Sequence, residues 1–228
     1  MKQLIIIIII LLAVITHAQQ FKVDKIKGKV LVQKGTEEEF TQLNKGDILN
    51  GDDLIITDKN SFIQLDKDGG KFILDENSAL GLSYLKKISI NDLLLALAME
   101  EIRNVPKSKN NKIGKNTAVY GEETVVANSM VVTSNNLGER KINGAKQLAE
   151  NGYQESAIIV AKETYRKYPS TGKNVEDRIY FANLLSSLNL NNEALEEFST
   201  VSKMNLNNDQ REKVDEEIEK IKLVLISN

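Results

Sequence analysis

An α+β fold in two units is predicted: an N-terminal all-β roll or barrel-like module, then C-terminal α-helical hairpin repeats. Three observations carry this. Apolar residues recur with period two through residues 21–85, the spacing of half-buried strands. Clusters of Gly, Asp and Asn interrupt those runs every few residues, as in a sandwich, roll or small barrel. From about Leu137 the apolar period becomes helical. Four segments follow: a signal peptide at 1–18, a β module at 20–88, a helix and linker at 89–136, and a helical repeat with a capping helix at 137–228.

The first segment opens with Lys2, followed by the unbroken apolar run Leu4–Ile15 and then Thr16-His17-Ala18. Charge, apolar core and small residues before a cut are the order of a secretory signal. The run falls short of the about 20 apolar residues a membrane span needs. Cleavage between Ala18 and Gln19 is expected, leaving an exported protein, periplasmic or envelope-associated and soluble. The chain has no Cys and no Trp, and its single His is in the signal. Packing alone, without disulfides, must therefore hold the fold. Charge is nearly balanced, with 30 Lys and Arg against 32 Asp and Glu, so no basic field for nucleic acid exists.

In the β module, Val30 and Val32, Leu54 and Ile56, Ile63 and Leu65, Phe72 and Leu74, and Leu80, Leu82 and Tyr84 alternate with residues of the opposite face. The turns fall at Gly46-Asp47, Gly51-Asp52 and Asp68-Gly69, among others. Glycine supplies positive φ there, and Asp bonds nearby backbone. Asp66–Gly70 is the best hairpin candidate. The spacing Leu43-x-x-Gly46-Asp47-x-Leu49 through Gly51-Asp52-x-Leu54-x-Ile56-Thr57, then Phe62-Ile63-Gln64-Leu65, Asp68-Gly69 and Ser78-x-Leu80, resembles the FecR-type periplasmic domain over about residues 26–85. The resemblance implies a β-rich module of exported proteins. Founding members relay a signal from an outer-membrane receptor to a membrane-tethered sigma regulator. This chain lacks their cytoplasmic segment and internal membrane helix, so only the module carries over.

Ser89 or Asn91 can cap a helix running to Arg103, with Asp92 at its positive end. Its apolar residues circle most of the helix, which predicts burial. Pro106 ends it, and residues 106–115 read as a linker. Arg103, Lys107, Lys109, Lys112 and Lys115 form a basic stretch that could touch anionic envelope components. Val125-Val126 and Met130–Val132 could form extended structure.

Beyond Leu137, Ala145 and Leu148 share one helix face, Gly152 ends that helix, and Tyr153 opens another that runs to Pro169. Ile179, Ala182 and Leu185, then Ala194, Leu195, Phe198 and Val201, repeat the arrangement. Ala145 and Ala182 hold equivalent places, as do Ala157 and Ala194, and small residues there let paired helices approach closely. The pattern resembles the tetratricopeptide repeat over about 140–206, with Tyr153 to Pro169 matching its second helix. An insertion near Thr171–Asn174 accounts for the slightly long period. Val214, Ile218, Ile221 and Leu225 form a stripe on a last helix, read as a terminal cap rather than a coiled coil.

With no mature His or Cys, nucleophile triads and zinc sites in their usual forms are not expected, nor is a cofactor or metal. Asp47, Asp52 and Asp53 could cluster, but turn chemistry accounts for them. Asp66-Lys67-Asp68-Gly69 lacks the further ligands of a calcium loop. The expected function is a non-catalytic envelope scaffold or adaptor that binds a protein partner through the β module and the helical repeat. The alternatives are a sensor component of surface signalling that responds to a receptor, and a carboxylate-only hydrolase.

Overall fold

Alternating apolar strands must bury one face, and the first half of the chain does so by stacking two sheets on one another. The computed structural model describes residues 19–67, 69–104, 125–127, 130–132 and 134–227. Signal residue Ala18, turn residue Asp68 and linker residues Lys107 to Lys115 therefore lie outside the described residues. The chain is α+β. Strands β1 (Gln20–Lys27), β4 (Ile48–Asn50), β6 (Phe62–Lys67) and β7 (Gly70–Leu74) form one antiparallel sheet in the order β4-β1-β6-β7. Strands β2 (Val30–Gln33), β3 (Phe40–Gln42), β5 (Leu54–Thr57) and β8 (Ala79–Gly81) form the other, in the order β3-β2-β5-β8.

Phe21, Val23, Leu49, Ile63, Leu65 and Leu74 of the first sheet and Val30, Val32, Ile55 and Leu80 of the second are buried in one cluster. Leu31, Ile56 and Ala79 lie on the opposite face of the second sheet in a smaller cluster, with Leu54 and Leu137 packed against it. The second sheet is thus covered on both faces. Leu54 and Ile56 belong to its outer face, and Ile55 faces the other sheet. Near-continuous apolar runs such as Val30-Leu31-Val32 are what two-sided burial demands.

The remaining elements are helices α1 (Ile90–Asn104), α2 (Ser134–Glu150), α3 (Gln154–Lys167), α4 (Val175–Ser187), α5 (Asn191–Val201) and α6 (Asn208–Ser227), with β9 (Val125–Ala127) paired to β10 (Met130–Val132). Ser89, not Asn91, caps α1. Its Oγ accepts from the Asp92 N–H at 3.1 Å, and the Asp92 carboxylate accepts from the Ser89 N–H at 3.3 Å. Contrary to expectation, α1 is buried on one face only. Leu93 and Leu97 join the core, whereas Leu95, Met99 and Ile102 are exposed by 63%, 45% and 73%. Among the described helices α1 packs chiefly on α3, so one side of it is enough to make that contact.

The turns after α2 and α4 are built alike. Tyr153 N–H reaches the Leu148 carbonyl and Gly152 N–H the Ala149 carbonyl; Leu190 N–H reaches Leu185 and Asn189 N–H reaches Ser186. Gly152 and Asn189 hold the positive φ (82° and 59°) that such a helix end requires. The same offset separates Gly152 from Asn189, Tyr153 from Leu190 and Ala157 from Ala194. A short 3₁₀ turn at Thr171–Lys173 occupies the place assigned to an insertion. No described helix is long and apolar enough to cross a membrane.

The apolar core does not stop where strands give way to helices. A single cluster runs from Phe21 to Ile221, and one face of α2 is committed to the β module. Arg140 donates to the Thr57 carbonyl and pairs with Asp58 at 3.4 Å. Asn143 donates to the Asn77 carbonyl at 2.8 Å, and Gln147 donates to Ser78 Oγ at 2.8 Å while accepting from the Asp75 N–H at 2.6 Å. Between them Gly144 lies so close to β8 that a Cβ would stand 2.2 Å from the Ala79 carbonyl oxygen. Thr57, fully buried at the end of β5, accepts from the Ser78 N–H at 3.0 Å and donates to the Asp75 carbonyl at 2.5 Å. It thereby holds the loop on which α2 sits.

A charged cleft between four helices

The turn residues of the β module are structural. Gly46 and Gly69 have positive φ (94° and 81°). Gly51 does not, and a Cβ there would meet nothing nearer than 3.6 Å. Glycine at 51 is therefore not demanded by conformation or space, contrary to the reading of that turn. Asp47 accepts from the Asn44 N–H at 2.8 Å, and buried Asp53 accepts from Asn50 at 2.9 Å and Gly35 at 3.2 Å. The Asp52 carboxylate lies close to Gly35. The hairpin at Asp66–Gly70 pairs Lys67 with Gly70, and Asp66 accepts from the Gly69 N–H at 3.2 Å. Among the described residues no group of three carboxylates is placed to hold a metal ion. Gln19 is partly exposed just before β1. Ala145, Ala157, Ala182 and Ala194 are all fully buried in the common core.

Chemistry-bearing side chains converge elsewhere. Leu97, Glu100 and Glu101 of α1, Lys162, Tyr165 and Arg166 of α3, Arg178 and Leu185 of α4, and Glu193, Glu196, Glu197 and Thr200 of α5 line an open cleft of about 480 Å³. Its floor is ionic. Glu197, 2% exposed, takes Lys162 on one carboxylate oxygen. Arg178 Nε stands 2.8 Å from the other oxygen, but its N–H is not aligned with it, so that contact is coulombic. Glu100, 5% exposed, pairs with Arg166 at 2.5 Å and Arg103 at 2.6 Å. A carboxylate this deep is tolerable only when paired, and removing it would strand two cations.

The Arg178 guanidinium lies 5.0 Å above the Tyr165 ring, which meets Phe181 edge-on at 6.4 Å. Burial, and then the Glu197 charge, push the Tyr165 hydroxyl well above the usual tyrosine range. It therefore stays protonated, and it has no hydrogen-bond partner.

A larger hollow of about 610 Å³ lies beside Tyr84, Lys86, Lys87, Ser89 and Asp92. Several of its polar groups are already engaged: Ser156 donates to the Lys86 carbonyl at 2.7 Å, and Asp92 accepts from Ser89 Oγ at 2.7 Å. Tyr84 donates to Glu163 at 2.5 Å, and burial together with that bond raises its pKa.

The sequence pointed to the β module and the helical repeat as binding surfaces and did not foresee that α1 supplies a wall. No local sequence signal marks Glu100, and only the fold brings it to Arg166.

Burial pushes the Glu100 carboxyl toward its neutral form, but the hydrogen bonds and charges of Arg166 and Arg103 outweigh it and hold its pKa below the ordinary range. The unfolded chain therefore binds a proton more readily than the folded one. The resulting stability is present above the unfolded pKa, about 4.3, and is lost as pH falls through the folded value. Glu100→Gln should cost up to about 3 kcal/mol at pH 7, and the gap to wild type should narrow as pH falls below about 4. Urea titrations from pH 7 to 3 measure this. A gap independent of pH would show that Glu100 is not ion-paired in the folded state. No family model, curated protein or solved structure matches the chain.

Proposed function

We propose that the chain is an exported, non-catalytic envelope scaffold or adaptor, in which a FecR-like β roll and a tetratricopeptide-like hairpin repeat hold a macromolecular partner. The observation that carries this reading is the cleft, where α1, α3, α4 and α5 present a charged, open wall in a chain whose β module is seated firmly on α2. The like-built turns at Gly152 and Asn189 support the repeat. The paired Gly-Asp turns and buried Thr57 support the module. A partner bound in the cleft would touch α3, which Glu163 and Ser156 tie to Tyr84 and Lys86 at the end of the β module, as an adaptor requires.

A photo-crosslinker at Thr200 on the cleft rim, used in intact cells, tests the proposal. A discrete adduct to one exported protein is expected from Thr200, and none from the same group at exposed Glu38. Retention of the chain in the cytoplasm, or identical adducts from both positions, would overturn it.

A further inference from the structure

Helix α1 is seated on α3 in the way a helical ligand sits in a groove. Its buried side chains are Leu93, Leu97 and Glu100, exposed by 0%, 8% and 5%. Their i, i+4, i+7 spacing is that by which an amphipathic helix anchors itself. The one buried charge among them meets Arg166 of α3 at 2.5 Å. Leu97 and Glu100 share the cleft lining with Lys162, Tyr165 and Arg166 of α3. The seat is shallow. Fifteen residues are ordered in α1 for three buried side chains among those described, whereas α3, one residue shorter, buries seven. Leu95, Met99 and Ile102 repeat the anchor spacing on the far side and stay exposed. Ordering a segment costs conformational entropy that burial must offset, and elements with few buried contacts open ahead of the rest. Helix α1 therefore opens at lower cost than the helix it covers.

We infer that α1 is a displaceable occupant of the cleft, covering the α3 surface that a helical segment of the partner takes in its place. That segment carries two aliphatic residues four apart and a carboxylate three residues further on. This rests on the adaptor reading and adds the partner's chemistry and its regulation. The carboxylate follows from charge, because displacing α1 removes Glu100 from Arg166, and a segment without an acid there would leave that guanidinium without its partner. A second copy's α1 would make only the contacts of the chain's own helix and lacks its tether, so it competes poorly. A partner that also holds the β module regains that advantage.

Fluorescence anisotropy with a labelled peptide of residues 89–104, added to the full chain, tests the inference. Glu100→Arg in the chain sets like charges against Arg166 and Arg103 and should free its own α1. Apparent affinity scales with the open fraction, so this variant should bind the peptide about tenfold or more tightly than wild type. Arg166→Glu in the chain should reverse the preference, taking a Glu100→Arg peptide about tenfold more tightly than the unmodified one. Native-state hydrogen exchange of the wild type needs no variant, and the α1 amides should open before those of α3 and α4. Exchange of α1 only through global unfolding would overturn the inference. So would equal peptide binding by wild type and a folded Glu100→Arg chain, or no reversal with Arg166→Glu. Dimers of the wild type formed by exchanging α1 would make a second copy the occupant and overturn it as well. If the Thr200 crosslink to the partner forms while the peptide results fail, the adaptor reading stands and the displaceable helix falls.

Discussion

Gly144→Ala should be among the most damaging single-methyl changes in this chain. Alanine is normally better than glycine inside a helix, by up to about 1 kcal/mol. Here the added carbon would stand 2.2 Å from the Ala79 carbonyl oxygen and 3.0 Å from its carbon. These are backbone atoms of a strand hydrogen-bonded to β5, so they cannot swing aside as a flexible side chain would. Helix α2 must lift. Lifting strains the bonds of Arg140, Asn143 and Gln147 to the β module. Overpacking costs about 1–3 kcal/mol and each lost bond about 1 kcal/mol, so a net loss of about 3 kcal/mol is expected after the helix gain. Gly172→Ala, whose added carbon meets nothing nearer than 3.7 Å, serves as the control and should be close to neutral. Urea unfolding followed by strand and helix signals should show both falling together, since the core is continuous. A Gly144→Ala protein as stable as wild type would mean that α2 does not approach β8 this closely.

The strands and helices of this fold were legible because their periods are local properties. Two-residue alternation at Ile63 and Leu65, or helical spacing at Ala157, Ala161 and Tyr165, can be read without knowing what lies opposite. What the elements cover was harder to read. Val30-Leu31-Val32 and Leu54-Ile55-Ile56 contain the sign of a sheet buried on both faces, yet alternation was the simpler pattern to see. Gly144 sits in mid-helix, where glycine signals close backbone approach, but its partner is a strand far away in sequence. The polar face of α2, with Arg140, Asn143 and Gln147, reads as a solvated surface until β8 is placed against it. The outward Leu95, Met99 and Ile102 mislead in the other direction, since apolar character alone does not say which side of α1 finds a neighbour. The cleft was least legible: its ion pairs join residues from α1, α3, α4 and α5, and no short-range spacing links Glu100 to Arg166 or Lys162 to Glu197.

The double change Ala157→Leu and Ala194→Leu should loosen the helical layer and abolish cleft binding. Both alanines have no exposed surface and belong to the common core, on helices α3 and α5, which also carry Lys162, Arg166 and Glu197 of the cleft's ionic floor. A leucine at either place needs room that close-packed helices do not have, so the helices must separate or the side chain must adopt a strained rotamer. At about 1–3 kcal/mol per site, the pair takes a large share of the about 5–15 kcal/mol that stabilises a typical domain. Separation also pulls Lys162 and Arg178 away from Glu197. The expected result is a lower melting temperature, reduced helical circular dichroism and loss of the Thr200 crosslink to the partner. Ala98→Leu, on the exposed side of α1, should be within about 0.5 kcal/mol of wild type and retain binding. If the double variant melts like wild type, the alanines do not mark a close helix contact and the repeat reading loses its main support. If it unfolds yet still captures the partner at the wild-type level, the partner is held by the β module and not by the cleft.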